Sequence, residues 1–139
     1  MLIAAALSFT ARASAADSAV ELTLEGRPVD RNGGVAVLHH GLVYADVVDL
    51  TRCFDGFITL VRGGAATVTI GPNTGTFVPG SRTATINATA VVLPDAPFQL
   101  NGELFVPLEP FISWVAGADV QLSGTRRHAD IRVPAGMRR

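Results

Sequence analysis

Three histidines, a lone cysteine and a pair of glutamates are the side chains of this 139-residue sequence best suited to chemistry. His39 and His40 are adjacent, and His128 lies far along the chain. Imidazole nitrogens bind zinc and copper well, so a histidine-based metal set is the first arrangement to weigh. Neighbouring strand residues point to opposite faces, so only one of His39 and His40 is expected to enter a common site. No Cys, Asp or Glu falls at helical or hairpin spacing to complete the coordination. The histidines therefore read as turn-flanking surface residues. The alternative is a small copper- or zinc-handling protein using His39, His40 or His128.

Cys53 falls near the end of an apolar helical stripe, away from a helix N-terminus and from basic neighbours that would lower a thiol pKa. It reads as a buried or half-buried structural thiol, or, if exposed, as a bridge between molecules. Glu103 and Glu109 are separated by a strand-to-helix transition and are expected to diverge, which removes the geometry of paired-carboxylate hydrolysis. There is no Gly-x-Ser-x-Gly elbow. Gly71-Pro72-Asn73-Thr74-Gly75 lacks the Lys-Ser/Thr of a phosphate loop and reads as a turn, as does Pro79-Gly80-Ser81. Asn87-Ala88-Thr89 matches a glycosylation sequon by coincidence within a strand. No catalytic set and no cofactor are expected. Tyr44 and Trp114 remain as candidate partner-surface aromatics, with core packing the more ordinary role for each.

The elements that must carry these residues follow from turns and hydrophobic spacing. Residues 41–70 lie over residues 102–131 at an offset of 61 without a gap. Gly41 meets Gly102, Gly56 meets Gly117, Gly63 meets Gly124, Ile70 meets Ile131, and Cys53 meets Trp114. In each unit a turn, His40-Gly41 or Asn101-Gly102, precedes a short strand, Leu42–Ala45 or Leu104–Val106. A helix follows. Asp46 is a good N-cap for the first, Val47, Leu50 and Phe54 form its apolar stripe, and Gly56 is placed as the left-handed residue beyond its end. In the second, Pro107 and Pro110 suit the helix start, Leu108, Phe111, Ile112 and Val115 form the stripe, and Gly117 ends it.

Two strand-like runs around a glycine turn complete each unit. They are Phe57–Val61 and Ala66–Ile70, then Asp119–Leu122 and Ala129–Val133. Val20, Leu22 and Leu24 alternate with polar residues, as do Ala84 and Ile86 with Thr83, Thr85 and Asn87, so both runs read as half-buried strands. The expected fold is α+β, a mostly antiparallel sheet with two short helices, built from related strand–helix–hairpin halves at about 20–71 and 76–133.

Composition narrows the function. With 48% hydrophobic and 17% charged residues, the chain can build a core rather than remain disordered. Its net charge of −1 lacks the positive field that nucleic-acid binding requires. A single cysteine forms no internal disulfide, so stability must come from the core. The apolar run Leu2–Leu7 followed by Ala13-Ser14-Ala15 fits a signal peptide over residues 1–15, leaving 16–139 as a single domain. The run is too short to span a bilayer, and no transmembrane segment is expected in the mature chain. Export to the periplasm or the cell exterior follows from the leader.

The stretch from Asn101 to Phe111, Asn-Gly-Glu-Leu-Phe-Val-Pro-Leu-Glu-Pro-Phe, with Gly117-Ala118-Asp119-Val120 after it, resembles the copper amine oxidase N-terminal-like, or stalk, domain family. Ala66–Gly71 and Thr85–Ala88 resemble two further strands of that family, and the likeness extends over about residues 20–133. Glu109 stands where the family usually has Arg, Ala88 where it has Gly, and Ala45-Asp46 where it has Val-Pro. The resemblance implies a projecting stalk set apart from copper and quinone, used elsewhere as an accessory module of exported bacterial proteins. It brings no catalytic residues. The expectation is a non-catalytic exported module that binds an envelope protein or a cell-wall polymer, or acts as a spacer.

Overall fold

The computed structural model describes residues 18–29 and 36–134, so the expected leader at residues 1–15 lies outside the described residues. Alternation of apolar and polar side chains makes strands along most of the chain. The first four are β1 (Ser18–Leu24), β2 (Arg27–Pro28), β3 (Ala36–His39) and β4 (Leu42–Asp46). A first helix, Val47–Cys53, leads to β5 (Phe57–Leu60), β6 (Ala66–Ile70), β7 (Asn73–Phe77), β8 (Thr83–Ile86) and β9 (Thr89–Val92). Then come β10 (Phe98–Leu100), β11 (Glu103–Pro107), a second helix, β12 (Asp119–Leu122) and β13 (His128–Arg132). The second helix begins as an α-turn over Leu108–Pro110 and continues as a π-helical segment over Phe111–Ala116.

The strands form two sheets. One runs β10-β11-β4-β3-β1-β13-β12, with β2 paired to β1, and the other runs β5-β6-β7-β8-β9. Pairing is antiparallel except between β1 and β13. The first helix touches β4 and β11 of one sheet and β5 and β6 of the other; the second touches β6, β7 and β12. Both helices therefore bury their apolar stripes between the sheets. Val47, Leu50, Leu108, Phe111, Ile112 and Val115 are fully buried there beside Val68, Phe77 and Ile131. Truncating Phe111 to alanine at such a site costs about 3–5 kcal/mol.

Hairpin, helix and hairpin follow one another twice, and the first hairpins of the two sets meet. β4 and β11 pair with Ala45 opposite Val106, a separation (106 minus 45) equal to the offset of 61 between the aligned segments. The second hairpins part company: β5 and β6 start the smaller sheet, whereas β13 joins β1.

Local chemistry explains the helix ends. Asp46 caps the first helix, its Oδ1 accepting from Val48 N at 2.9 Å. The left-handed residue beyond this helix is Asp55 (φ 55°), not Gly56. Gly56 is needed for a different reason: a Cβ there would sit 2.6 Å from the carbonyl oxygen of Thr69. Gly117 does end the second helix in the left-handed region at φ 69°. Gly71–Gly75 is not one turn, because β7 already begins at Asn73. Gly75 lies inside that strand, where a Cβ would meet Val115 of the second helix at 2.9 Å.

Candidate functional site

His40 occupies the left-handed position of the β3–β4 turn (φ 52°), which swings its ring beside its neighbour. The rings of His39 and His40 lie side by side, tilted by 32° with centroids 3.9 Å apart. The expectation that the two rings point to opposite faces is therefore corrected, since the alternation of a strand ends where the chain turns. His39 also lies 4.2 Å from Phe98 and meets Tyr44 edge-on at 5.3 Å. His40 Nδ1 pairs with Asp95 Oδ2 at 2.8 Å, and this bond holds the Asp95 carboxyl below its ordinary range.

Tyr44 is fully buried, so its proposed place on a partner surface is also corrected. Its hydroxyl donates to the Ala96 carbonyl at 2.9 Å, and burial, then the Asp95 charge, push its pKa well up. Together the rings of His39, Tyr44, Phe98 and Phe105 pin the 94–98 connection against β3, β4 and β11. Among the described residues no group of three or more His, Cys, Asp or Glu is placed to hold a metal ion.

His128 makes no ring contact with that cluster and bonds instead to Thr23 of β1. It stands in a hydroxyl–imidazole–carboxylate arrangement that resembles a catalytic set only by composition. The buried Thr23 hydroxyl donates to Asp130 Oδ1 at 2.6 Å, which leaves its oxygen to accept from His128 Nε2 at 2.9 Å. A general base needs the reverse, with the imidazole taking the hydroxyl proton. Asp130 Oδ1 also accepts from Gly26 N at 2.9 Å, and Arg132 Nε lies 2.6 Å from Oδ2. Burial alone would raise the pKa of Asp130, but the Thr23 and Gly26 donors and the Arg132 charge hold it down. The group is a knot tying the β1–β2 turn to β13.

The carboxylate pair that does form is Asp46 with Glu103, not Glu103 with Glu109. Burial and a hydrogen bond with Glu103 push Asp46 up to about 7. Spacing along the chain hid this pair, because the strands β4 and β11 bring it together across 57 residues (103 minus 46). The Asp46 carboxyl faces the helix N-terminus it caps, and neither Asp46 nor Glu103 lines the grooves beside Cys53, Trp114 or Arg126. Cys53 is free and half-buried, with its thiol pushed up to about 11 by burial and then by Asp49, so thiolate is scarce at neutral pH. Asn87 of the sequon is engaged in its turn, accepting from Thr74 N and donating to Asn73 Oδ1.

Trp114 is 39% exposed and borders a shallow groove of about 350 Å³ with Pro94, Pro107 and Pro110. A larger open surface belongs to the five-stranded sheet. Ala66, Val68, Ile70, Phe77, Ala84 and Ile86 turn inward to the core. Their neighbours turn outward, and the register lines up Thr59, Thr67, Thr76 and Thr85 abreast, with Ala90 at the end of the row. Thr69, Thr74 and Thr83 extend the same face, with Phe57 and Val92 at its margins, and no charged residue stands on these strands. Thr67 and Thr76 share a hydrogen bond at 3.1 Å across the strands. The alternating Thr-x-Thr runs were visible as strand patterns, but their alignment into one face required the pairing order.

A family model described as the copper amine oxidase N-terminal domain matches residues 58–131, a little over half of the chain. The chain belongs to that family. No curated protein and no solved structure matches it. The copper amine oxidase N-terminal domain segment runs from β5 to β13, so it contains the whole threonine face and the second helix. This domain is the non-catalytic, stalk-like part of the oxidases. Among the described residues no helix is long and apolar enough to cross a membrane.

Proposed function

We propose that this chain is a non-catalytic, exported accessory module that binds an envelope protein or a cell-wall polymer through the outer face of its five-stranded sheet. The observation that carries this reading is the contrast between its reactive groups and that face. The Thr23–Asp130–Arg132 knot, the His40–Asp95 pair and the Tyr44 hydroxyl are each spent on holding the fold together. The threonine face has no such internal duty beyond its cross-strand hydroxyl contacts. Hydroxyls that both donate and accept, on an uncharged surface, suit a neutral polar partner better than a polyanion or a membrane.

Binding is tested by incubating the chain with purified cell-wall polymer and, separately, with envelope-protein extract. Retention by one of them under physiological salt is the expected result. Failure to be retained by either removes the binding role and leaves a spacer.

A further inference from the structure

β5 is an edge strand, and among the described residues no strand pairs with its outer side. Open edges present rows of N–H and C=O groups and are ordinarily blunted with charge or proline. β5 has neither. Phe57, Leu60 and the following Val61 are 78%, 62% and 46% exposed, three of the six exposed large apolar side chains among the described residues. The corresponding edge strand in the second unit, β12, instead carries Asp119 and Gln121 outward.

We propose that β5 pairs with β5 of a second copy of this chain, antiparallel and centred on Thr59, to form a two-fold dimer. Val61 N donates to Ala65 O at 2.9 Å, so antiparallel alternation also turns the backbone groups of Phe57 and Thr59 toward β6. The N–H and C=O groups of Ile58 and Leu60 are left facing the open edge. In the Thr59-centred register Ile58 lies opposite Leu60 of the second copy, so these free groups exchange both hydrogen bonds. Phe57 lies opposite Val61 of the second copy on the threonine face, so the exposed apolar side chains cover one another.

Charge selects this direction. Asp55 and Arg62, both exposed, flank the strand at its two ends. Antiparallel pairing brings Asp55 beside Arg62 of the second copy, twice by symmetry, whereas parallel pairing would bring like charges together. The other edge of this sheet, β9, has no opposite charges at its ends: Asn87-Ala88 precede it and Leu93-Pro94 follow. The dimer would also join two threonine faces into one surface on the same side. It does not depend on that face binding anything.

Sedimentation velocity of the full chain, followed up to high micromolar concentration, tests the pairing. The expected result is a concentration-dependent doubling of mass. Leu60→Pro removes an edge donor without touching the β5–β6 ladder, and Arg62→Glu places like charges together; each is expected to weaken the dimer by about tenfold or more. Ala90→Arg, on the opposite edge, is expected to leave it intact. A chain that stays monomeric overturns the proposal. So does a dimer that withstands Arg62→Glu or is lost in Ala90→Arg. Should Leu60→Pro fail to fold by circular dichroism, the exposed Arg62→Glu variant decides alone.

Discussion

Replacing Asp46 by asparagine isolates the titration of a buried carboxyl that the fold holds toward its protonated form. The side chain is 3% exposed, caps the first helix through Val48 N and shares a hydrogen bond with Glu103. Its pKa is raised from 3.8 to about 7. At roughly 1.4 kcal/mol per pH unit, that rise corresponds to about 4 kcal/mol of pH-dependent stability. Glu103 is exposed, so solvent screening brings the expected effect to about 2 kcal/mol. The folded state binds this proton more tightly than the unfolded chain does. Its contribution is therefore complete below about pH 4 and is lost as pH rises through about 7. Asparagine keeps the cap and a hydrogen bond toward Glu103 but carries no charge. Urea unfolding of both proteins at steps across this range gives the difference directly, with other titrating groups cancelling. Asp46→Asn should gain about 2 kcal/mol on the native chain between the acid and neutral ends. A difference that stays constant across that range refutes the account of the pair.

Other outcomes follow from the same geometry. Ala88 sits in a two-residue turn at φ 68°, where its Cβ is strained, so Ala88→Gly should stabilise by about 1 kcal/mol in thermal or urea unfolding. Gly75→Ala should instead cost about 1–3 kcal/mol, because its Cβ would stand 2.9 Å from Val115 and press the second helix off the sheet. Calorimetry with copper or zinc at micromolar concentration should show no saturable binding; one equivalent bound, and lost in His39→Ala or His40→Ala, would return those histidines to a metal role.

What could be read in the sequence was whatever local geometry dictates. Asn101-Gly102 and His40-Gly41 announce their hairpins, Asp46 its helix, and Gly117 the end of the other, because each depends on a few neighbouring residues. What escaped depends on neighbours far along the chain. Gly56 and Gly75 are required by the approach of Thr69 and Val115, contacts that no turn pattern reveals. Thr23 reads as an outward strand residue, yet it is buried because Asp130 arrives across a parallel pairing. The side-by-side rings of His39 and His40 depend on the left-handed φ of His40, where the alternation of the strand has already ended. The threonine face was hidden for a related reason. Each Thr-x-Thr run marks one strand, and only the order β5-β6-β7-β8-β9 makes them a surface.

That surface carries the central claim, and a paired retention experiment tests it most directly. The native chain and a Thr76→Lys/Thr85→Lys variant, matched in melting temperature, are compared for retention on cell-wall polymer and on immobilised envelope protein. The two substitutions stand side by side in the middle of the row and leave the inward side chains of β7 and β8 untouched. The expected result is retention of the native chain and its loss in the variant. Equal retention of both, or of neither, would contradict the assignment of partner binding to this face.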